Sequence, residues 1–350
     1  MELEKDKLLF DKCEVKHMKK VDKTLLKNVK AIDLFCGIGG FRYAIASFGG
    51  EVVFASEADK KTANIYAQNF GFVPNGDIEA IDENAVPDHD ILCAGFPCQP
   101  FSISGKQKGF EDTRGTLFFD IARIAKAKQP KILLLENVYQ LEAHDSGKTL
   151  SVIMNTLESI GYDVYYKIMN SADYGFPQNR KRIYIVCFRK DMGITSFEFP
   201  IPSDDVKHKY VKDIVCKKGV EHYIINRSDI TITADDSAAE CTDKPFRIGS
   251  VAQGRQGERI YSAKGKAITL TANGGGIGGK CGLYKIDGYI RKLTPRECAR
   301  LQGFPESFNI PTSDNLAYST FGNAVDVCMV QLILQAIASN ADIMKHLKNT

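Results

Sequence analysis

Short apolar runs alternate with amphipathic stretches from Lys30 to Phe188, and this alternation constrains the fold more than any single motif. The runs at 31–35, 51–56, 90–96, 131–135, 163–168 and 182–188 have the length and aliphatic content of buried strands. Helical stretches lie between them at 41–48, 60–69, 117–128 and 149–160. Gly49-Gly50, Pro130 and Gly161 close three of them. The order predicts an α/β fold: a mostly parallel sheet with helices on both faces. The texture changes near residue 200, where Pro200 and Pro202 stand. From about 209 to 290 there are short strand-like pieces, no strong helical period, and glycines at 254, 257, 265, 274–276, 278 and 279. A small, glycine-rich second domain is expected over 209–305. The first domain then spans 1–208 and is completed by 306–350. Thr294 is placed to cap a helix whose first residue is Pro295. One amphipathic helix is expected over 324–345, and residues 1–28 read as a charged lead-in.

Composition removes several classes. The net charge of +3 over 350 residues makes the chain no polycation, so a nucleic-acid surface would be a local patch. No run approaches eighteen apolar residues, so no membrane helix is expected. Residues 1–30 lack the apolar core of a signal peptide. The 10 cysteines show no CxxC spacing, which argues against a zinc site or a disulfide scaffold and predicts no metal. Reduced thiols fit a cytoplasmic protein.

The run 90–96 ends at Pro97-Cys98-Gln99. A residue just past the C-terminal end of such a strand lies where open α/β sheets bind ligands. A thiolate there can attack an electrophilic carbon. Most cysteines in apolar settings are inert core residues. Cys98 departs from that reading because the run 131–135 delivers Glu136 to the same sheet edge. Gly37, Gly39 and Gly40 follow the first strand and open a helix, where glycine lets the backbone approach a ligand. Arg42 stands where the dinucleotide pattern GxGxxG needs its last glycine. Glu57 ends the second strand, about twenty residues on, where an acid bonds ribose hydroxyls. Asp77 adds a second acid. Surface charge is the plain alternative for both acids. The set suits an adenosine cofactor without phosphates, and S-adenosylmethionine fits.

These residues bring the chain to a family. Segments 33–41 (DLFCGIGGF), 95–102 (GFPCQPFS), 136–138 (ENV), 178–182 (QNRKR), 291–305 (RKLTPRECARLQGFP) and 321–325 (FGNAV) occur in the order found in the DNA (cytosine-5) methyltransferases, which the chain resembles nearly end to end. The resemblance extends to the HhaI-type bacterial restriction–modification methylases, which modify GCGC. The resemblance implies a class I S-adenosylmethionine-dependent methyltransferase fold, Rossmann-like, with a target-recognition domain. It implies cofactor contacts from Phe35, Gly37, Gly39, Gly40, Glu57 and Asp77. Ile78, Pro97, Leu117, Asn323 and Val325 complete that set. Segment 102–112 resembles a mobile catalytic loop, with Gln99, Ser102, Ser104 and Arg114 toward DNA. Gln256, Arg259, Asn273, Gly274, Gly275 and Gly276 fall in the recognition loops. Two departures stand out. Ala58 follows the acid where these enzymes often place a large side chain, and Asn273 replaces an aromatic.

The implied chemistry is specific. C5 of cytosine is a poor nucleophile until a thiolate adds at C6. Cys98 is expected to make that addition, with Glu136 bonding N3 and the exocyclic amine. Arg182, with Arg180 beside it, is expected to hold O2 and lower the thiol pKa. The base must leave the duplex to expose C6. The expected partner is double-stranded DNA, with the enzyme a monomer. A restriction endonuclease acting on the same site without contact is a further expectation. The competing substrate is a tRNA cytosine, and the glycine-rich second domain argues against it. A catalytically silent DNA-binding relative would not be expected to retain Cys98, Glu136 and Arg182 together. A thiol hydrolase would need a histidine beside Cys98, and neither His89 nor His144 lies in a matching motif.

Overall fold

The computed structural model describes residues 22–97 and 117–348. Cys98, Gln99, Ser102, Ser104, Arg114 and most of the lead-in lie outside the described residues. Two compact units divide the chain. Among the described residues, the first holds 22–97, 117–169, 182–199 and 330–348; the second holds 170–181 and 200–329. Segments 182–199 and 330–348 therefore return to the first unit, and 306–329 groups with the second.

In the first unit the strands are β1 (Lys30–Leu34), β2 (Glu51–Ser56), β3 (Ile91–Gly95), β4 (Ile132–Val138), β5 (Tyr162–Asn170) and β6 (Lys181–Arg189). The helices between them are α1 (Gly40–Ser47), α2 (Lys60–Phe70), α3 (Leu117–Lys128) and α4 (Lys148–Ser159). The sheet order is β2-β1-β3-β4-β6-β5. β1 pairs in parallel with β2 and β3, and β3 with β4, as the alternation predicts. β3 and β4 are buried on both faces, so their sequences read as continuous apolar runs. Leu92, Leu133, Leu135, Phe118, Ile121 and Ile153 belong to one core. Each such side chain contributes about 1.5–3 kcal/mol relative to exposure. Asp59 caps α2 by accepting the Thr62 amide at 2.8 Å. Gly71, at φ 63°, ends that helix.

β6 runs antiparallel to β4. Its first residues therefore lie at the edge where β4 ends. Alternation alone could not show this, because strand direction depends on the connection rather than on the strand.

The second unit carries a sheet of order β11-β10-β9-β8-β7. Its strands are β7 (Ile230–Ile232), β8 (Arg247–Val251), β9 (Arg259–Ser262), β10 (Leu283–Ile286) and β11 (Tyr289–Lys292). Ile248, Val251, Ile260 and Leu283 form its small core. Asp287 at φ 50° and Gly288 at φ 85° turn β10 into β11, the left-handed pair a two-residue hairpin needs. The strand-like pieces of the sequence are thus one twisted sheet. α5 (Pro295–Leu301) begins at the Thr294 cap as expected, and α6 (Asp314–Asn323) follows.

The single terminal helix expected over 324–345 is instead two: α7 (Val327–Ser339) and α8 (Ala341–Lys348). Asn340 divides them. Its side-chain oxygen accepts the amides of Asp342 and Ile343 at 3.0 and 3.2 Å, which caps a new helix. α7 is buried on every side from Val327 to Gln335, so it is a core helix rather than an amphipathic one. The stretch Asp314–Ser339 is long and apolar enough to cross a membrane by length and composition alone. It is broken between α6 and α7, and 89% of its most apolar window is buried.

Candidate active site

One row of hydrogen-bonded register crosses the first sheet. Ser56 pairs with Leu34, Leu34 with Ala94, and Ala94 with Leu135. The next residues toward that edge are Glu57 and Phe35, just past β2 and β1, and the paired Gly95 and Glu136, still within β3 and β4. Adjacent strands lie about 4.8 Å apart, so Glu57 and Glu136 mark the ends of a front roughly 14 Å wide. The strand order reverses between β1 and β3, which is where such sheets bind ligands.

At the β1 end, Phe35 takes φ 53° and Gly37 φ 54°, a left-handed turn that folds the loop back. Glu57 closes it. Its carboxylate accepts the Gly37 amide at 3.0 Å and the Asp59 amide at 2.9 Å. Each oxygen keeps a further lone pair, so a fixed acceptor pair remains for a vicinal diol. Burial raises the Glu57 pKa, and the two amide bonds counter it. Gly39, at φ 87°, lies against the Phe70 ring, and a Cβ there would strike that ring. Arg42 packs on the rings of Tyr66, Phe70 and Phe72 with centroid distances of 5.6, 5.1 and 5.1 Å. The residue that breaks the dinucleotide pattern is thus part of an aromatic floor under the loop. Asp77 is exposed and caps a short turn by accepting the Glu79 amide, and Ile78 beside it is buried. These features fit an adenosine bearing free ribose hydroxyls and no phosphate. Ala58 is exposed beside Glu57.

Asp33, inside β1, is fully buried, and burial pushes its carboxyl well above the carboxylate range. The Arg42 charge and backbone amide only partly counter this. A carboxyl raised in the folded state binds its proton more tightly there than in the unfolded chain. Its contribution to stability is therefore present at low pH and lost as pH rises from 3.8 toward the folded pKa. Asp33→Asn is expected to remove a slope of about 1.4 kcal/mol per pH unit at its steepest. Urea unfolding of both proteins from pH 5 to 8 checks this. The variant should gain on the parent as pH rises; parallel curves would refute it.

At the β3–β4 end, Gly95 pairs with Glu136. The Asn137 side-chain amide, buried, donates to the Phe96 carbonyl at 3.0 Å. That bond fixes the chain two residues before Cys98. Asn137 was readable only as part of a motif; its role needs the strand pairing. Arg182 pairs in register with Val138, so its side chain shares a face with that of Glu136. The Arg182 Nε lies 2.9 Å from Glu136 Oε1, with both side chains about nine-tenths buried. The edge thus presents an oriented carboxylate and a guanidinium beside the strand that leads to Pro97 and Cys98. Cys36, Cys93 and Cys187 are buried, and burial raises each thiol pKa. Among the described residues no group of His, Cys, Asp or Glu could hold a metal ion.

In the second unit, Arg180 is buried and donates to the carbonyls of Leu270, Gly322 and Ala324. Asn323 is exposed and Val325 buried. Gln256 and Asn273 are exposed, and Arg259 is half-buried at the start of β9. The two glycine-rich loops touch backbone to backbone. Gly278 donates to the Gly257 carbonyl at 2.7 Å. A Cβ on Gly257 would be driven into the Gly275 carbonyl, and one on Gly274 into that of Gly279.

A family model described as "C-5 cytosine-specific DNA methylase" matches residues 29–339. The chain is 50% identical to the type II methyltransferase M.HhaI of Haemophilus parahaemolyticus, covering 90% of this chain and 96% of that protein. It is 43% identical to M.HpaII of Haemophilus parainfluenzae over 86% of each. Among solved structures it is similar to a putative DNA modification methyltransferase from an E. coli prophage. The TM-score there is 0.66 at 21% identity, with 89% of this chain and 99% of that one covered. That likeness bears on the fold alone. The glycine loop, the carboxylate–guanidinium edge and these relatives agree: the chain belongs to the C-5 cytosine-specific DNA methylases and is a DNA (cytosine-5) methyltransferase of the restriction–modification type.

Proposed function

We propose that the enzyme methylates C5 of a flipped-out cytosine through a covalent bond between Cys98 and C6. The observation that carries this is the Glu136–Arg182 pair, held on the edge beside the strand that leads to Cys98. S-adenosyl-L-methionine, when bound, supplies the electrophilic methyl group. The Glu57 carboxylate would hold the ribose, with Phe35, Gly37, Gly39 and Gly40 beside it. Asp77, Ile78, Pro97, Leu117, Asn323 and Val325 complete the proposed set. Glu136 bonds N3 and the exocyclic amine, so that N3 gains a proton as the Cys98 thiolate adds to C6. Arg182 holds O2 and favours the thiolate. C5 would then take the methyl group, with S-adenosyl-L-homocysteine as the leaving group; passing the C5 proton to water and the N3 proton back to Glu136 would return the electron pair that expels Cys98 as a thiolate.

The substrate reading is duplex DNA with the site GCGC, the internal cytosine being methylated. The 50% identity to M.HhaI and the two glycine-rich loops support it. Arg259 suits guanine O6 and N7, and Gln256 can bond several base edges. Gly274, Gly275 and Gly276 let main chain near the groove. Gly257→Val is expected to part the two loops and weaken duplex binding about tenfold or more, the scale of a lost base contact. S-adenosylhomocysteine affinity should change less than twofold. Calorimetry with each ligand checks this; unchanged duplex affinity would remove the loops from recognition.

The deciding experiment is transfer of labelled methyl to duplex DNA and, in parallel, to tRNA, with bisulfite sequencing of the product. Methylated internal cytosines of GCGC are expected. Label in tRNA alone would replace the substrate while leaving the chemistry. A partner endonuclease of the same specificity and a cytoplasmic monomer complete the proposal.

A further inference from the structure

The second unit contains a buried polar network that joins the recognition loop to the Asn323 turn. Leu270 is gripped on both sides of its peptide. Its amide donates to Gln178 Oε1 at 3.1 Å, and its carbonyl accepts Arg180 Nη1 at 3.3 Å. The same guanidinium reaches Gly322 at 3.4 Å and Ala324 at 2.7 Å, the carbonyls on either side of exposed Asn323. Gln302 gives the Ala324 carbonyl a second donor at 3.0 Å and accepts from Gln178 at 3.1 Å. Gly322 packs on the backbone of Thr271 and Ala272, where a Cβ would clash. Thr271 in turn bonds Lys280 and Gly279, inside the paired glycine loops.

Leu270, Gly322 and Ala324 are buried, so each of these carbonyls would be costly to release. The Asn323 turn and the segment from Leu270 to Gly276 therefore cannot rearrange independently. Resting on the function proposed above, we infer that Arg180 is a positioning residue that couples cofactor binding at Asn323 and Val325 to DNA recognition at Asn273–Gly276. A ligand that orders one end of the network reduces what the second ligand has left to order, so the coupling is positive. Reciprocity requires each ligand to tighten the other by the same factor. Arg180→Lys keeps the charge but replaces the planar fork, whose two terminal nitrogens reach Leu270, Gly322 and Ala324, with a single point charge, so it does not reproduce that spread of donors.

The test measures the affinity of the enzyme for S-adenosylhomocysteine with and without a duplex carrying its methylation site. The wild type should bind about fivefold or more tightly with the duplex present. In Arg180→Lys the ratio should fall toward one. A ratio unchanged by the substitution, with both affinities and Tm lowered, would reduce Arg180 to a packing role and overturn the coupling alone. A wild type that binds neither ligand would overturn the functional reading as well. Should the variant fail to fold, amide exchange on the wild type decides. S-adenosylhomocysteine without DNA should protect the amides of residues 271–276, and unchanged exchange there would overturn the inference.

Discussion

Glu136→Gln is expected to lower turnover by roughly 10²–10⁴-fold, the usual contribution of a positioned acid or base. Glutamine keeps the shape and one acceptor oxygen, but it cannot deliver a proton to N3 as C6 is attacked. It also leaves the Arg182 guanidinium without its carboxylate at a site about nine-tenths buried. The loss should appear in kcat, because the proton is needed in the transition state and not in the bound complex. Binding of DNA and of S-adenosylhomocysteine should stay within a few-fold. Cys98→Ser should fall lower still, since a serine hydroxyl does not ionise at neutral pH as a thiol does. Single-turnover methyl transfer separates the two variants. Near-wild-type transfer by Glu136→Gln would refute the assigned role.

Glu297→Ala is expected to destabilise the second unit by about 3–5 kcal/mol, the cost of orphaning one member of a buried ion pair. Glu297 is fully buried and faces Arg291, only 2% exposed, through two bonds of 2.7 and 2.8 Å. It also accepts the amides of Thr294 and Cys216, at 2.7 and 2.6 Å. One carboxylate therefore joins β11, the start of α5 and the segment at 216. Removing it leaves a buried cation and unpaired amides. The double variant Arg291→Met with Glu297→Leu should recover part of the loss, because no charge is then left alone. Amide exchange across β9, β10 and β11 reads this unit directly, which a whole-protein melt does not. A loss under about 1 kcal/mol for the single variant would contradict the argument.

How much of this was legible in advance follows from which interactions are local. Strand period, glycine turns and the Thr294 cap depend on a few neighbouring residues, so the alternating fold class could be read from the chain. The strand carrying Glu136 was legible too, although β4 runs two residues past it, to Val138. The break at Asn340 was missed because its side chain bonds two amides ahead of it, which a helical pattern does not register. α6 was missed as a separate element, since its faces are set by tertiary burial.

Sequence by itself determined the alternation of strands and helices from Lys30 to Phe188, the family motifs and the residue types that chemistry requires. Tertiary structure decided where Arg180 and Arg182 belong. Two residues apart, they would share a face if both lay in one strand. β6 begins at Lys181, however, so only Arg182 follows the strand's alternation and reaches Glu136. Arg180 precedes the strand and turns to carbonyls far along the chain, at Leu270, Gly322 and Ala324. Sequence spacing could not foresee those partners, because a buried guanidinium is oriented by whichever unpaired carbonyls the folded backbone brings within reach.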